Sequence, residues 1–173
     1  MTFFGKSLPE YVSFEKEILG FIVIVGLGRL ILSLAGTPNA RTKFVSITVA
    51  TLLGWLYVAY KVNKHQFGSY KPLLPLVAIQ SLTASVIIAG SVALAILTNR
   101  DNIYSAPEYS FGVDGKTWGH AGAHLFIATI FLSLAGWAIG SLALFIARKI
   151  SHRGQGTPAQ TEGRGKSAAA SAK

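Results

Sequence analysis

Cysteine is absent from the chain. That removes disulfides, thiolate nucleophiles, iron–sulfur clusters and cysteine-type zinc sites, and it leaves the redox compartment undetermined. Acidic residues are scarce, seven against sixteen lysines and arginines, and charged residues make up 13% of the chain. Ordinary globular domains carry about 25%. No P-loop, nucleotide-binding glycine fingerprint, HExxH pair or Ser/His/Asp set occurs, so the usual signatures of phosphoryl transfer, metalloproteolysis and acyl transfer are missing. The formal charge of +9 invites a nucleic-acid reading. Its basic residues, however, flank apolar runs or sit in a small-residue tail, a pattern that membrane topology explains better than phosphate binding. No nucleic-acid partner is expected.

What the chain does contain is apolar length. Leu125 to Ala147 holds no Asp, Glu, Lys, Arg or His and is closed by Arg148-Lys149. As a helix it would be about 34 Å long, enough to cross a bilayer's hydrocarbon core. Four such spans are expected, at about 18–35, 44–60, 72–98 and 121–147. The fold class is therefore an all-α integral membrane protein, a four-helix antiparallel bundle with a 22-residue extracytoplasmic loop (Asn99–His120) between spans three and four. Ser7-Leu8-Pro9-Glu10 has the form of a capping box and starts a helix near Leu8 that runs into span one. Its early turns, carrying Glu10, Glu15 and Glu17, are expected at the membrane interface. A cleavable signal peptide is disfavoured by those glutamates and by Arg29 inside the apolar run. Gly36-Thr37-Pro38-Asn39 reads as a turn, and Asp114-Gly115 as a tight hairpin turn within an aromatic, folded loop. The hydroxyl-rich span three should turn Ser81, Ser85 and Ser91 toward other helices. Residues 1–150 form the membrane domain, and 151–173, rich in Gly, Ser and Ala, are expected to be a disordered basic tail.

Orientation follows from counting cations. Eleven of the sixteen lysines and arginines fall on the side of the N-terminus, the 61–71 connection and the tail, four on the opposite side, and Arg29 within a span. Both termini should then be cytoplasmic, in a plasma or bacterial inner membrane.

Arg29 is the sharpest functional signal, because a charge within a span costs at least about 2.5–3.5 kcal/mol on insertion scales. Helical spacing places Gly26, Ser33 and Gly36 on its face, which argues for inward packing; snorkelling to the headgroups is the alternative. His120 and His124, four apart, project from one helix face and could hold a metal, a haem or a quinone, with Glu108 and Asp114 available to complete a metal site. The alternative is an interfacial pair hydrogen-bonded to the loop. His65 and His152 lie on the tail side and cannot contribute. Arg29, Ser33, Ser46, Thr48, Thr51, Ser91 and His124 all fall in the outer half of the spans. They suggest a polar crevice roofed by the aromatic loop and suited to an anion, a quinone-like headgroup or a peptide. Ser133, Gly136 and Gly140 form a small-residue stripe on span four, for packing within the chain or against a partner membrane subunit or second copy.

No Asp or Glu is placed within a span, which counts against a proton-coupled transporter. No cofactor is required. The leading functional expectation is a non-enzymatic accessory, sensory or scaffolding subunit. The rivals are a metal-, haem- or quinone-associated redox subunit and a small channel or transporter.

Overall fold

Helix initiation at the N-terminus follows the local chemistry. In the computed structural model, which describes residues 2–42, 45–109 and 113–154, Glu10 accepts hydrogen bonds from the Ser7 amide (2.7 Å) and hydroxyl (2.6 Å). Helix α1 begins at once and runs over Leu8–Leu34 with Pro9 in its first turn. A two-stranded hairpin that the sequence did not announce precedes it: β1 (Thr2–Phe3) pairs antiparallel with β2 (Lys6–Ser7). Phe4 and Gly5 between them have φ of 50° and 83°, the positive angles a two-residue hairpin turn demands.

The far end of α1 closes as a Schellman motif. Thr37 N donates to Leu32 O and Gly36 N to Ser33 O, with Gly36 at φ 79°. A short helix α2 (Asn39–Thr42) follows, then α3 (Ile47–Lys64), α4 (Tyr70–Thr98), α5 (Trp118–Gly122), a π-helical segment (Ala123–Ala128) and α6 (Thr129–Gly154). Asn99 ends α4 in the left-handed conformation, φ 50°. The Asp114-Gly115 turn is stabilised by Asp114 Oδ1 accepting from Lys116 N, and no strand flanks it among the described residues. The expected hairpin is therefore a local Asx turn. The expected start of span two at Phe44 and most of the basic tail, 155–173, lie outside the described residues. The helix itself continues to Gly154, four residues into the stretch expected to be unstructured.

The long helices alternate in direction. Gly26 of α1 lies against Ile47 at the start of α3, while Lys61 near the end of α3 donates to Phe14 O at the start of α1. Gln80 of α4 meets Glu15 and Ile87 meets Gly26, so α4 runs parallel to α1. Arg148 late in α6 donates to Gly68 O ahead of α4, setting α6 antiparallel to it. One end thus gathers the N-terminal hairpin, the 65–69 connection and the end of α6. The other gathers residues 35–42 and 45–46 and the described parts of the connection after α4, 99–109 and 113–117.

Two apolar clusters fill the interior. At the hairpin end Tyr11, Trp55, Val58, Val62, Leu73, Leu76, Val77 and Leu144 pack together. Phe67 of the short connection stacks on Phe14 at 3.8 Å and meets Tyr11 edge-on, which pins that connection to α1. At the other end Ile18, Ile22, Ile47, Ala50, Ala84, Val92, Ile103, Tyr104 and Ala121 form the second cluster.

Large apolar side chains such as Ile24, Leu97 and Phe131 cover the outside, a surface suited to hydrocarbon rather than water. Three helices are long and apolar enough to cross a membrane: Leu8–Leu34, Tyr70–Thr98 and the continuous run Trp118–Ser151. Helix α3 is not among them, since its 18 residues end in Lys61, Asn63 and Lys64. Among the described residues the chain is all-α apart from the small hairpin, with membrane-spanning capacity in three of the four long helices.

Candidate functional site

Gly26 sets the helix spacing at which the candidate site forms. A Cβ there would lie 2.7 Å from Ile47 Cδ1 and 3.1 Å from Ile87 Cγ2, so α1, α3 and α4 approach this closely only around a glycine. One turn further on, Arg29 points into a cavity of about 210 Å³ whose lining also includes Ile47 and Thr48 of α3, Ile88 of α4, Ile103 and Tyr104 of the connection, and His124. Arg29 is buried, 8% exposed. Its burial resolves the choice between inward packing and snorkelling in favour of the former.

The connection reaches the cavity because Asn102 ties it down. The Asn102 amide donates to Ser91 O of α4 (2.7 Å), and its Oδ1 accepts from Tyr104 N (2.9 Å). Its backbone N–H donates to Ser105 Oγ (3.0 Å), while its carbonyl accepts from Ser105 N and Ala106 N. These bonds within five residues leave Tyr104 aimed across the bundle, where its hydroxyl donates to Gly26 O at 2.9 Å. Burial pushes the Tyr104 phenol up to about 12, with the nearby Arg29 charge opposing the shift. Outside the cavity, Lys116 pairs with Asp101 at 2.8 Å, and that bond raises the lysine above its ordinary value.

His124 reaches the cavity from the π-helical segment. Such segments add one residue per turn and rotate the residues that follow; Thr129 Oγ1 accordingly donates five residues back, to His124 O (3.4 Å). His120 donates from Nδ1 to Gly115 O at 3.0 Å. With both rings neutral, its Nε2 is then the acceptor for His124 Nε2–H, 2.9 Å away. The two histidines therefore share a face as their spacing predicts, but the hydrogen bond occupies the facing nitrogens. Asp114, expected as a further metal ligand, binds Lys116 N instead, and no group of three or more His, Asp or Glu that could hold a metal occurs among the described residues.

The remaining candidates are dispersed. Ser33 lies in a separate open pocket with Leu94, Thr98, Arg100 and Asp101. Thr51 is buried and donates to Ile47 O of its own helix. Ser91 donates to Ile87 O, and Ser81 to Val77 O. Ser81 and Ser91 thus satisfy themselves on the carbonyl four residues back rather than on other helices, and Ser133 does likewise with Thr129 O. Ser85 Oγ is buried with no hydrogen-bond partner among the described residues. Gly136 is covered by the Trp55 ring, where a Cβ would come within 2.6 Å of Cε2, and Gly140 faces Trp55 O and Leu73. The small-residue stripe of the last span is occupied within the chain, because only glycine lets α6 close on a buried tryptophan; it is not open to a partner helix.

Sequence reasoning missed two residues of consequence. Tyr104 stood out only as an aromatic in a loop, and its partner Gly26 lies 78 positions away. Glu15 was assigned to the interface, yet it is 0% exposed, within α1. Glu15 therefore lies within one of the helices long and apolar enough to cross a membrane, where no acid was expected. Comparison with protein-family models, with curated proteins and with solved structures finds no match for the chain.

Proposed function

We propose that the chain is a four-span membrane protein with both termini cytoplasmic, α3 serving as the fourth span, shielded by its neighbours. It acts without catalysis, as a sensory or accessory subunit that receives a small oxyanion from the extracytoplasmic side. The observation that carries this reading is the convergence of Arg29, Thr48, Tyr104 and His124, from four separate segments, on one cavity of about 210 Å³. Arg29 supplies the positive charge, and a guanidinium in a low-dielectric site favours an oxyanion over a neutral guest. Thr48 offers its hydroxyl to a remaining oxygen, His124 lines the wall, and the three isoleucines limit the guest's size. Nothing in the lining pairs a nucleophile with a base, which supports binding over turnover. A redox reading that held a metal between the two histidines through their facing Nε2 atoms would need the nitrogens they use on each other. The outer connection, held by Asn102, is the surface through which occupancy would be relayed to a partner.

The test uses the full chain in nanodiscs of zwitterionic phosphatidylcholine, titrated with inorganic phosphate and followed by calorimetry and thermal unfolding. A parallel sample in phosphatidylglycerol asks whether a lipid headgroup supplies the same phosphoryl oxygens. Phosphate, or the anionic lipid, is expected to raise the unfolding temperature of the parent. Arg29→Leu is expected to weaken that binding at least tenfold, as the loss of a charged hydrogen bond worth about 1.5–3 kcal/mol requires, while the variant stays inserted and monodisperse. If Arg29→Leu leaves binding unchanged, or the parent binds neither probe, the cavity is a packing feature and the reading fails.

A further inference from the structure

Glu15 and Gln80 meet in the layer between the two apolar clusters. On α1, Glu15 is bracketed by Tyr11 of one cluster and Ile18 of the other; on α4, Gln80 is bracketed by Val77 and Ala84. Both side chains are 0% exposed. The Gln80 amide donates from Nε2 to Glu15 Oε2 at 2.8 Å. The other two oxygens, Glu15 Oε1 and Gln80 Oε1, are buried and have no hydrogen-bond partner among the described residues.

As an ionised carboxylate, Glu15 would be a buried charge with one hydrogen bond, next to an amide carbonyl with none. Both conditions are costly away from water. The charged group of α3 whose field reaches Glu15 is Lys61, and its ammonium is already bonded to Phe14 O (2.6 Å) and Glu17 Oε2 (2.7 Å). On its own helix the neighbouring charges are Lys16 and Glu17, and from α4 the facing group is the neutral Gln80. Among the described residues no cation is bonded to the carboxyl. Turning the Gln80 amide over does not remove the difficulty: it would set the amide carbonyl against Glu15 Oε2, and two acceptors hold together only through a hydrogen.

Helix α3 closes the site from the third side. A Cβ at Gly54 would lie 3.2 Å from Gln80 Cδ and 3.0 Å from Ile18 Cγ1, and it would collide with Gln80 Oε1. The amide carbonyl therefore rests on a glycine, in a space that packing leaves very small.

We propose that Glu15 and Gln80 form a proton-binding site, in which Glu15 is held as the carboxylic acid and a proton on its free oxygen is donated to the Gln80 carbonyl. One proton then supplies the missing donor, removes the buried charge and lets α1, α3 and α4 stay in contact at Gly54. Losing it leaves a carboxylate that must draw in water or a cation and separate those helices. An ionisable group inside a helical membrane domain is a natural seat for such a coupling. This site is distinct from the Arg29 cavity and does not depend on it.

Infrared spectroscopy of the full chain in lipid tests the proposal. The C=O stretch of a carboxylic acid is separate from the carboxylate bands, and the Glu15→Gln variant assigns any such band to its residue. The parent is expected to keep one acid band at neutral pH, lost in Glu15→Gln and shifted in Gln80→Leu, where the acid has no carbonyl to bond. Glu15→Gln replaces the acid by a neutral isostere that can still pair with Gln80, so it is expected to fold and melt no lower than the parent. Absence of an acid band at neutral pH, an equal band in Glu15→Gln, or its replacement by a carboxylate band on adding sodium ions at fixed pH would each overturn the assignment.

Discussion

Tyr104 shows how one side chain ties the connection to the bundle. Its hydroxyl bonds Gly26 O, and its burial holds the phenol near 12. An unfolded chain would ionise that phenol at its ordinary value near 10, so the folded state alone keeps the proton between the two. The phenol's contribution to stability is therefore complete below about pH 10 and declines as pH rises toward 12. Tyr104→Phe is expected to lower stability by about 0.5–1.5 kcal/mol at neutral pH, the usual worth of one hydrogen bond. It should also abolish this part of the parent's alkaline decline. Chemical unfolding in detergent across that pH range reads both effects, and a variant with the parent's full alkaline decline would show that Tyr104 does not titrate as described. Arg29 was legible at this scale through Gly26, one turn before it, which packs against α3 and α4; Ser33 lies in a separate pocket and Gly36 is exposed beyond the end of α1. Glu15 was not legible. Hydropathy treats an acidic residue as the boundary of a span, and what allows its burial is Gln80, 65 positions away.

Among the elements, α6 and its π-helical preface decide how the last span meets the rest. The glycines at 136 and 140 read from sequence as a stripe for packing within the chain or against a partner, and in the structure Trp55 of the same chain lies on them. Spacing identifies such a stripe without saying which helix lies on it. Gly136→Ala would force a methyl into the rigid indole ring of Trp55, and overpacking of this kind costs about 1–3 kcal/mol. A lower unfolding temperature in detergent is expected, whereas Gly90→Ala, where nothing lies within 4 Å, should be close to neutral. Equal behaviour of the two variants would mean that α6 does not close on Trp55. The π-helical segment had no sequence signal at all: nothing in Ala123-His124-Leu125-Phe126 distinguishes it from an ordinary helical turn. Its consequence, His124 lining the cavity beside Tyr104, follows from tertiary contact rather than local preference.

For the whole molecule, the alternation of helix directions places the described parts of the connection after α4 opposite both the N-terminal hairpin and the end of α6. That matches the asymmetry of lysines and arginines along the chain, and the proposed placement of the Arg29 cavity rests on it. Helix ends, capping and the major apolar runs were readable because they are written locally, in Ser7 and Glu10, in Gly36, and in the uncharged stretch of the last span. The standing of α3 was harder to read, because Lys61 and Lys64 dilute a helix whose burial depends on three neighbours. The most direct measurement exploits the missing cysteines. Val113→Cys in the outer connection and Lys64→Cys at the end of α3 each introduce a single thiol at an exposed position. A membrane-impermeant maleimide applied to intact cells is expected to label Val113→Cys at once and Lys64→Cys only after lysis. Equal labelling of the two from outside, or labelling of Lys64→Cys alone, would contradict the four-span arrangement and remove the outward-facing cavity with it.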